Sequence, residues 1–189
     1  MTLEATTARE RLLAELREHA LVIGEVILTS GATAQYLIDA KRAILRLGGF
    51  LALSELVAAQ ASAWGATAVG GMTMGADPIA CAALAGGANV KAFFVRQEVK
   101  QHGLARRIEG PLLEPGDSCM LVEDVVTTGG STIRALEAVR AEGHQVCGVL
   151  AICDRLAGGA EAIEAVARAP YVALTTIDEI YPERPDRDR

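Results

Sequence analysis

Residues 119–131 constrain the fold and the chemistry of this chain more than any other stretch. The apolar residues 120–122 are typical of a buried strand, and the carboxylates of Glu123 and Asp124 follow at its carboxyl end. A loop of threonines and glycines comes next, and apolar residues at helical spacing begin at Ile133. A strand, a loop of small residues and a helix N-terminus in this order offer backbone N–H groups and hydroxyls to a phosphate.

The same stretch excludes two familiar phosphate sites. It has no Gly-Lys-Ser/Thr, so it is not the P-loop of a nucleoside-triphosphate site, and no Gly-x-Gly-x-x-Gly follows a strand, which counts against a dinucleotide site. The acidic pair has a different use, because a phosphate disfavours a carboxylate beside it whereas the vicinal hydroxyls of a ribose donate hydrogen bonds to one. The pattern therefore predicts a site for a ribose 5-phosphate, and the competing interpretation is an ordinary strand–turn–helix junction.

Length and charge exclude several classes of protein. The 189 residues, 51% of them hydrophobic, suffice for one well-cored domain over residues 1–189. The formal net charge of −6 argues against a protein held to nucleic acid by phosphate contacts. No apolar run approaches the roughly 20 residues that span a bilayer, and the start of the chain lacks the pattern of a signal peptide. We therefore expect a cytoplasmic protein with neither nucleic-acid nor membrane partners.

The cysteines form no Cys-x-x-Cys pair, which argues against a metal site. Cysteines in a reducing compartment commonly serve as small core residues, and we expect that role here, with no disulfide and no protein ligand to a metal. The four are Cys81, Cys119, Cys147 and Cys153.

Short apolar segments alternate with helical patterns along most of the chain, which predicts an α/β fold with a central parallel sheet flanked by helices. A capping aspartate and an early proline predict a helix that starts at Asp77-Pro78. Residues 26–45 predict two short strands around a turn at Ser30-Gly31, and residues 182–189 predict a charged, frayed tail. Strands of the main sheet are expected at 68–71, 91–95, 119–122, 146–153 and 171–174.

A long basic segment, residues 96–110, follows the predicted strand that ends at Val95. Ligands of parallel α/β sheets bind outside the carboxyl ends of the strands, so this segment begins at the same edge as the acidic pair. A long loop in a compact domain is usually a lid or binding loop, and its cations would stabilise a departing diphosphate. The other interpretation is a solvated surface loop. Its basic residues are Arg96, Lys100, His102, Arg106 and Arg107.

Two motifs together resemble a known enzyme family. Residues 119–131 resemble the phosphoribosyl-diphosphate signature of the type I phosphoribosyltransferases, in which an apolar strand leads into two acidic residues, two apolar residues and a Thr/Gly/Ser loop. The order Arg-x-x-x-Lys-x-His-Gly, beginning at Arg96, resembles the mobile catalytic loop of the orotate phosphoribosyltransferases. The resemblance covers most of the chain, including Leu28–Gly31, Tyr36, Asp39 and residues 70–78.

The resemblance implies a type I phosphoribosyltransferase fold with a small hood formed by residues 1–45. It also implies a homodimer in which the loop 96–110 is shared across the interface. The implied reaction moves the 5-phosphoribosyl group from phosphoribosyl diphosphate to N1 of orotate, giving orotidine 5′-monophosphate and diphosphate in UMP biosynthesis. Mg²⁺ is the implied cofactor, held by diphosphate, ribose hydroxyls and water rather than by protein ligands.

The same match assigns roles in an oxocarbenium-like transition state. Glu123 and Asp124 are expected to orient the ribose and balance its growing positive charge. Lys100 and His102 are the other expected catalytic residues and, together with Arg96, stabilise the departing diphosphate. The expected phosphoribosyl-diphosphate-binding residues are Arg96, Gln97, Lys100, His102, Glu123, Asp124, Val125, Val126, Thr127, Thr128, Gly129, Gly130 and Ser131.

The orotate-binding residues implied by the match are Thr127 and Arg155, and the guanidinium of Arg155 is a fixed fork suited to the carboxylate of orotate. The sequence also departs from the family pattern. Gln97 stands where many members have a lysine that reaches the neighbouring subunit's site. Thr29 and the region of Gly75 stand where some members carry further lysines.

Two rival functions stay open at this point. One is a phosphoribosyltransferase for another base such as a purine, which the Lys-x-His-Gly order and Arg155 disfavour. The other is a regulatory protein that senses phosphoribosyl diphosphate without catalysis, and Gln97 is the feature that keeps it open.

Overall fold

The N-terminal part of the molecule is a small unit built around an antiparallel hairpin with a bulge. The structure, a computed structural model, is described for residues 6–27, 33–98 and 107–187. A capping box between Thr7 and Glu10 satisfies backbone N–H groups at the start of the first helix. The elements of this unit are helix α1 (Ala8–Glu15), a π-helical turn (Leu16–Ala20), strands β1 (Leu21–Ile27) and β2 (Thr33–Ile38), and helix α2 (Lys41–Ile44).

A second, six-stranded sheet forms the centre of the molecule. Its strands are β3 (Ala68–Met72), β4 (Lys91–Val95), β5 (Ile108–Glu109), β6 (Ser118–Val126), β7 (Gln145–Asp154) and β8 (Tyr171–Thr176). They lie in the order β5-β4-β3-β6-β7-β8, and only the β4–β5 pair is antiparallel. The carboxyl ends of β3, β4, β6, β7 and β8 therefore meet at one edge.

Helices cover both faces of this sheet. Successive side chains along a strand point to opposite faces, and the strands carry apolar side chains on both. On β6, Met120 and Val122 pack in a core with Leu53, while Leu121 packs in a second core with Leu136. Each such fully buried apolar side chain contributes roughly 1.5–3 kcal/mol to folding. The remaining helices are α3 (Leu47–Ala63), α4 (Asp77–Ala85), α5 (Gly130–Ala141), α6 (Gly159–Ala167) and α7 (Ile177–Ile180).

Two glycines near the end of β3 allow this strand to pack closely against β4 and β6. A Cβ at Gly70 would overlap the carbonyl oxygen of Phe93, and one at Gly71 would overlap that of Val122. Any larger residue would push β3 away from its neighbours. The loop that leaves β3 is therefore held close to the end of β6.

The predicted α/β architecture is confirmed, and most predicted strands extend beyond their expected ends. Glu123 and Asp124 are the sixth and seventh of the nine residues of β6, so they lie within the strand rather than after it. The prediction that Asp77 caps α4 is wrong: Ala76 holds the cap position, and the carboxylate of Asp77 accepts a hydrogen bond from the hydroxyl of Thr73 (2.6 Å). The predicted turn at Ser30-Gly31 lies outside the described residues.

Residues 182–187 of the predicted tail make contacts with the body of the molecule. Arg184 pairs with Asp178 and, at 3.2 Å, with Asp186. The hydroxyl of Tyr36, in β2, lies 3.0 Å from both carboxylate oxygens of Asp186. Over residues 6–27, 33–98 and 107–187, no helix is long and apolar enough to cross a membrane.

Candidate active site

Glu123 joins the end of β6 to the beginning of α5. Its side chain is only 4% exposed, and its Oε2 accepts hydrogen bonds from the hydroxyls of Ser131 (2.6 Å) and Thr132 (3.1 Å). Burial raises the pKa of Glu123 to about 7, the nearby Asp124 carboxylate adds to the rise, and the two hydroxyls oppose it. The carboxylate thus fixes the start of the helix relative to the strand.

Asp124 lies beside Glu123 but is directed to different partners. Its Oδ1 accepts a hydrogen bond from the N–H of Val125 (2.8 Å), and its Oδ2 accepts one from Nζ of Lys41 (2.9 Å). The same ammonium lies 2.9 Å from Oδ1 of Asp39. These hydrogen bonds raise the pKa of Lys41 although its partial burial opposes the rise, so the ammonium stays charged. The N-terminal unit therefore reaches the end of β6 through one lysine.

The loop after β3 lies against the Asp124 carboxylate. A Cβ at Gly75 would lie 2.6 Å from Oδ1 of Asp124, closer than side-chain carbons come to such oxygens. Residue 75 must therefore be glycine for the loop to keep this contact. The backbone at Gly75 therefore lies directly beside the carboxylate.

The loop between β6 and α5 presents the features of an anion site. Thr127 and Thr128 are exposed, and Gly129 has a φ of 79°, a left-handed conformation that favours glycine. No side chain caps α5, so the N–H groups of its first turn face outward without a capping partner. Such an end attracts negative charge. A Cβ at Gly159 would lie 2.6 Å from the carbonyl oxygen of Thr127, so α6 packs closely beneath the loop.

The two valines of the predicted phosphoribosyl-diphosphate motif face the interior to different degrees. Val126 is buried in the core shared with α5 and α6, while Val125 is half-buried. The side chain of Val126 is thus unavailable to a ligand in this structure. Its carbonyl oxygen accepts a hydrogen bond from the N–H of Arg155 (2.8 Å), which couples the ends of β6 and β7.

Arg155 lies at the end of β7, as predicted, but its guanidinium already has partners. Its Nη2 donates a hydrogen bond to the hydroxyl of Tyr36 (2.9 Å), and its Cζ lies 4.8 Å from the centre of that ring. The same Nη2 lies 3.9 Å from the carboxylate of Asp186. The guanidinium therefore belongs to a cluster of an arginine, a tyrosine and a carboxylate.

The described part of the basic segment borders an open cavity of about 500 Å³. Nη1 of Arg96 is 3.4 Å from the carboxylate of Glu109, and Nε2 of Gln97 is 3.5 Å from the carbonyl oxygen of Thr73. The guanidinium of Arg107 holds the backbone by donating to the carbonyl oxygens of Arg96 and Gln97 (3.0 and 3.3 Å). The cavity is lined by Thr73, Phe94, Arg96, Gln97, Glu98 and Glu109.

Two of the predicted catalytic residues, Lys100 and His102, lie outside the described residues. The others converge: the acidic pair, the loop 127–131 and Arg155 occupy one edge of the sheet. Sequence reasoning missed Lys41, whose contact with Asp124 spans 83 positions of the chain and leaves no local signal.

Comparison with known proteins identifies the family. No family model matches the chain. It is, however, 42% identical to the orotate phosphoribosyltransferase of Corynebacterium glutamicum over 174 residues, which cover 92% of this chain and 94% of the relative. The crystal structure of the Mycobacterium tuberculosis orotate phosphoribosyltransferase superposes with a TM-score of 0.82 at 36% identity, covering 92% of this chain and 99% of that one. The chain belongs to the orotate phosphoribosyltransferase family.

A further structure of the mycobacterial enzyme contains 5-phospho-α-D-ribosyl 1-diphosphate, and it matches with a TM-score of 0.78 at 33% identity over 92% of this chain and 98% of that one. The predicted type I phosphoribosyltransferase fold is thereby confirmed. So is the predicted enzyme class, because these relatives are orotate phosphoribosyltransferases, which are transferases.

Proposed function

We propose that the phosphoribosyl transfer takes place at the carboxyl ends of β3, β6 and β7, with Asp124 as the ribose ligand and residues 127–131 as the 5-phosphate anchor. The observation that carries this assignment is the position of Asp124. Its carboxylate lies at the end of a central strand, against the loop that contains Gly75 and a few residues before the uncapped start of α5. A ribose 5-phosphate has its hydroxyls and its phosphate separated in the same way.

The phosphate anchor would use backbone as well as side chains. The N–H groups at the start of α5 carry partial positive charge, and an anion there is stabilised by about 0.3–1 kcal/mol when exposed and by more when partly buried. The exposed hydroxyls of Thr127 and Thr128 add donors. Because the hydroxyl of Ser131 is bound to Glu123, Ser131 would act through its N–H, and Glu123 would hold the loop in place as well as face the ribose.

As the glycosidic bond breaks, the ribose gains positive charge and the diphosphate gains negative charge. The carboxylate of Asp124 is placed to balance the positive charge on the ribose. We assign the stabilisation of the negative charge on the diphosphate to Arg96, Gln97, Lys100 and His102. The ion pair between Arg96 and Glu109 is long, at 3.4 Å, so Arg96 can exchange it for a phosphate oxygen at small cost. Little covalent chemistry falls to the protein.

For the base, the proposal assigns Thr127 and Arg155. Both lie at the same sheet edge, where the ends of β6 and β7 are joined by the hydrogen bond from Arg155 N–H to Val126. A guanidinium at that place can form a paired hydrogen bond with the carboxylate of orotate. Purines have no carboxylate, so this contact would favour orotate over them.

Mg²⁺ belongs to the same proposal as a cofactor carried by the substrate. Across the described ranges no group of three His, Cys, Asp or Glu side chains could hold a metal ion. An oxygen-rich edge with Asp124 fits Mg²⁺, which binds few carboxylates and keeps waters and substrate phosphates as ligands. When bound, it would neutralise part of the charge on the diphosphate.

The proposal includes a homodimer with the loop 96–110 shared between subunits. Leu47 is 77% exposed and Leu51 is 54% exposed, and their spacing places both on one face of α3. An apolar face of this kind supports burial against a second copy. We also propose a cytoplasmic location, since the four cysteines are free thiols.

A matched pair of substitutions tests the site. Asp124→Ala should lower kcat for orotidine 5′-monophosphate formation by at least about a hundredfold, the scale of a lost transition-state interaction. Asp117→Ala is the control, because Asp117 precedes the same strand and also accepts from a lysine, Lys91, at 2.8 Å. Equal losses of turnover in both variants, or stability loss alone at Asp124, would remove Asp124 from the site. Mixing orotate with adenine, guanine or uracil in the assay tests the base assignment.

A further inference from the structure

The segment of residues 181–187 folds back onto the N-terminal hairpin and places a carboxylate next to Arg155. Both carboxylate oxygens of Asp186 are 3.0 Å from the hydroxyl of Tyr36, and Oδ2 is 3.9 Å from Nη2 of Arg155. The chain thus supplies its own carboxylate to the arginine that the proposed function assigns to the carboxylate of the base.

Tyr36 connects the two charged groups. Its hydroxyl accepts a hydrogen bond from Arg155 (2.9 Å) and donates one to Asp186. Its ring is 3% exposed, lies beneath the guanidinium, and meets the ring of Tyr181 edge-on at 5.3 Å. Burial raises the pKa of Tyr36, so the hydroxyl keeps its proton and stays a donor at neutral pH.

The guanidinium of Arg155 has capacity left for a second ligand. Its Nε is buried and has no hydrogen-bond partner among the residues that the structure describes. A buried donor without a partner destabilises the state that contains it. The 3.9 Å separation from Asp186 is also longer than the paired contact that an arginine forms with a well-placed carboxylate. Asp186 is therefore a partial match for this site.

If Asp186 moves away, the neighbouring cation Arg184 still has a carboxylate partner. Arg184 lies 3.2 Å from Asp186, but it also pairs with Asp178 on α7. When Asp186 moves away, Asp178 still compensates the charge of Arg184. The cost of moving Asp186 away is thus limited to the bonds between Asp186 and its own partners.

We propose that Arg155 and Tyr36 form a carboxylate-binding pair that Asp186 occupies in the free protein, so that orotate must displace Asp186 to bind. This inference rests on the proposed assignment of Arg155 to the base. Segment 181–187 then acts as an intramolecular competitor, and Tyr36 becomes a determinant of specificity for a base that carries a carboxylate. A competitor of this kind raises the apparent dissociation constant by a factor of one plus the ratio of closed to open states.

Kinetics of orotidine 5′-monophosphate formation test the competition. Asp186→Asn should lower the KM for orotate about three- to tenfold, because the amide loses the charge of Asp186 but keeps an acceptor for Tyr36, while kcat and the KM for phosphoribosyl diphosphate stay unchanged. Glu183→Gln is the control, because it removes the same charge at an exposed position of the same segment. The inhibition constant of uracil, which lacks the carboxylate, should not change. Equal KM values for orotate in the two variants would overturn the proposal.

The Arg155→Ala background separates this inference from the function on which it rests. There, Asp186→Asn should give no further decrease in the KM for orotate, because the shared partner is gone. If Arg155→Ala itself leaves that KM unchanged, the assignment of Arg155 to the base fails. If Arg155→Ala raises it and Asp186→Asn still has no effect in the wild-type background, only the competitor fails.

Amide hydrogen exchange in the wild-type protein is a second test of the displacement of Asp186, and it needs no variant. Orotidine 5′-monophosphate carries the same carboxylate, so its binding should speed exchange in residues 183–187 by releasing Asp186. Ribose 5-phosphate, which has no base, should leave that exchange unchanged. Slower or unaltered exchange with orotidine 5′-monophosphate would contradict displacement.

Discussion

Nζ of Lys41 lies 2.9 Å from Oδ2 of Asp124 and, on its other side, 2.9 Å from Oδ1 of Asp39. One ammonium thus joins the start of α2 to the end of β6. The carboxylate of Asp124 is mostly enclosed, with 14% of its side chain exposed, and so its orientation depends on this partner. The N-terminal unit is therefore part of the machinery that presents Asp124.

Lys41→Met should lower kcat/KM for phosphoribosyl diphosphate by about tenfold or more, because a hydrogen bond to a charged group contributes roughly 1.5–3 kcal/mol. Lys41→Arg keeps the charge and a donor, and should recover most of the loss. Steady-state kinetics with varied phosphoribosyl diphosphate measure the effect, and a thermal midpoint shows whether folding is altered. Full activity of Lys41→Met would mean that Asp124 keeps its orientation without the lysine.

Glu123 should make stability depend on pH. Its pKa is raised from 4.5 to about 7 on folding, so the folded state binds the extra proton between these values. The resulting stabilisation is fully present below pH 4.5 and is lost as pH rises through about 7. Wild type should lose on the order of 2 kcal/mol relative to Glu123→Gln between pH 5 and 8, since each pKa unit corresponds to about 1.4 kcal/mol. Urea unfolding at both pH values checks this, and parallel pH profiles of the two proteins would contradict it.

The strands and the loop 127–131 could be predicted from sequence because their signals are local. The apolar run, the acidic pair and the Thr/Gly/Ser loop are contiguous, and their order fixes a strand, a turn and a helix start. The partners of Asp124 and Arg155 could not be predicted from sequence, because Lys41 and Asp186 are distant from them along the chain. The charged composition of residues 182–189 likewise carries no signal for the hydrogen bond between Tyr36 and Asp186.

Gly75→Ala should impair turnover far more than folding. The added Cβ would lie 2.6 Å from Oδ1 of Asp124, so either the loop or the carboxylate must move. A displacement of about 1 Å at a reacting centre costs up to about a hundredfold in rate. Turnover and the thermal midpoint should be measured on the same preparation. A variant that retains kcat would show that the loop after β3 shifts freely without disturbing Asp124.

Gln97→Lys tests whether the neutral amide limits the rate. A charge-assisted hydrogen bond to diphosphate contributes roughly 1.5–3 kcal/mol against about 1 for a neutral one, so kcat should rise about tenfold, with a steeper loss of rate in salt. Gln97 is close to its own chain's Thr73, at 3.5 Å, so a hybrid of the proposed dimer decides whether residue 97 serves its own subunit's site or the partner's. Subunits with both Gln97→Lys and Asp124→Ala, mixed with wild-type subunits, should show the gain if the lysine crosses the interface. A gain confined to homodimers of Gln97→Lys would place residue 97 in its own subunit's site.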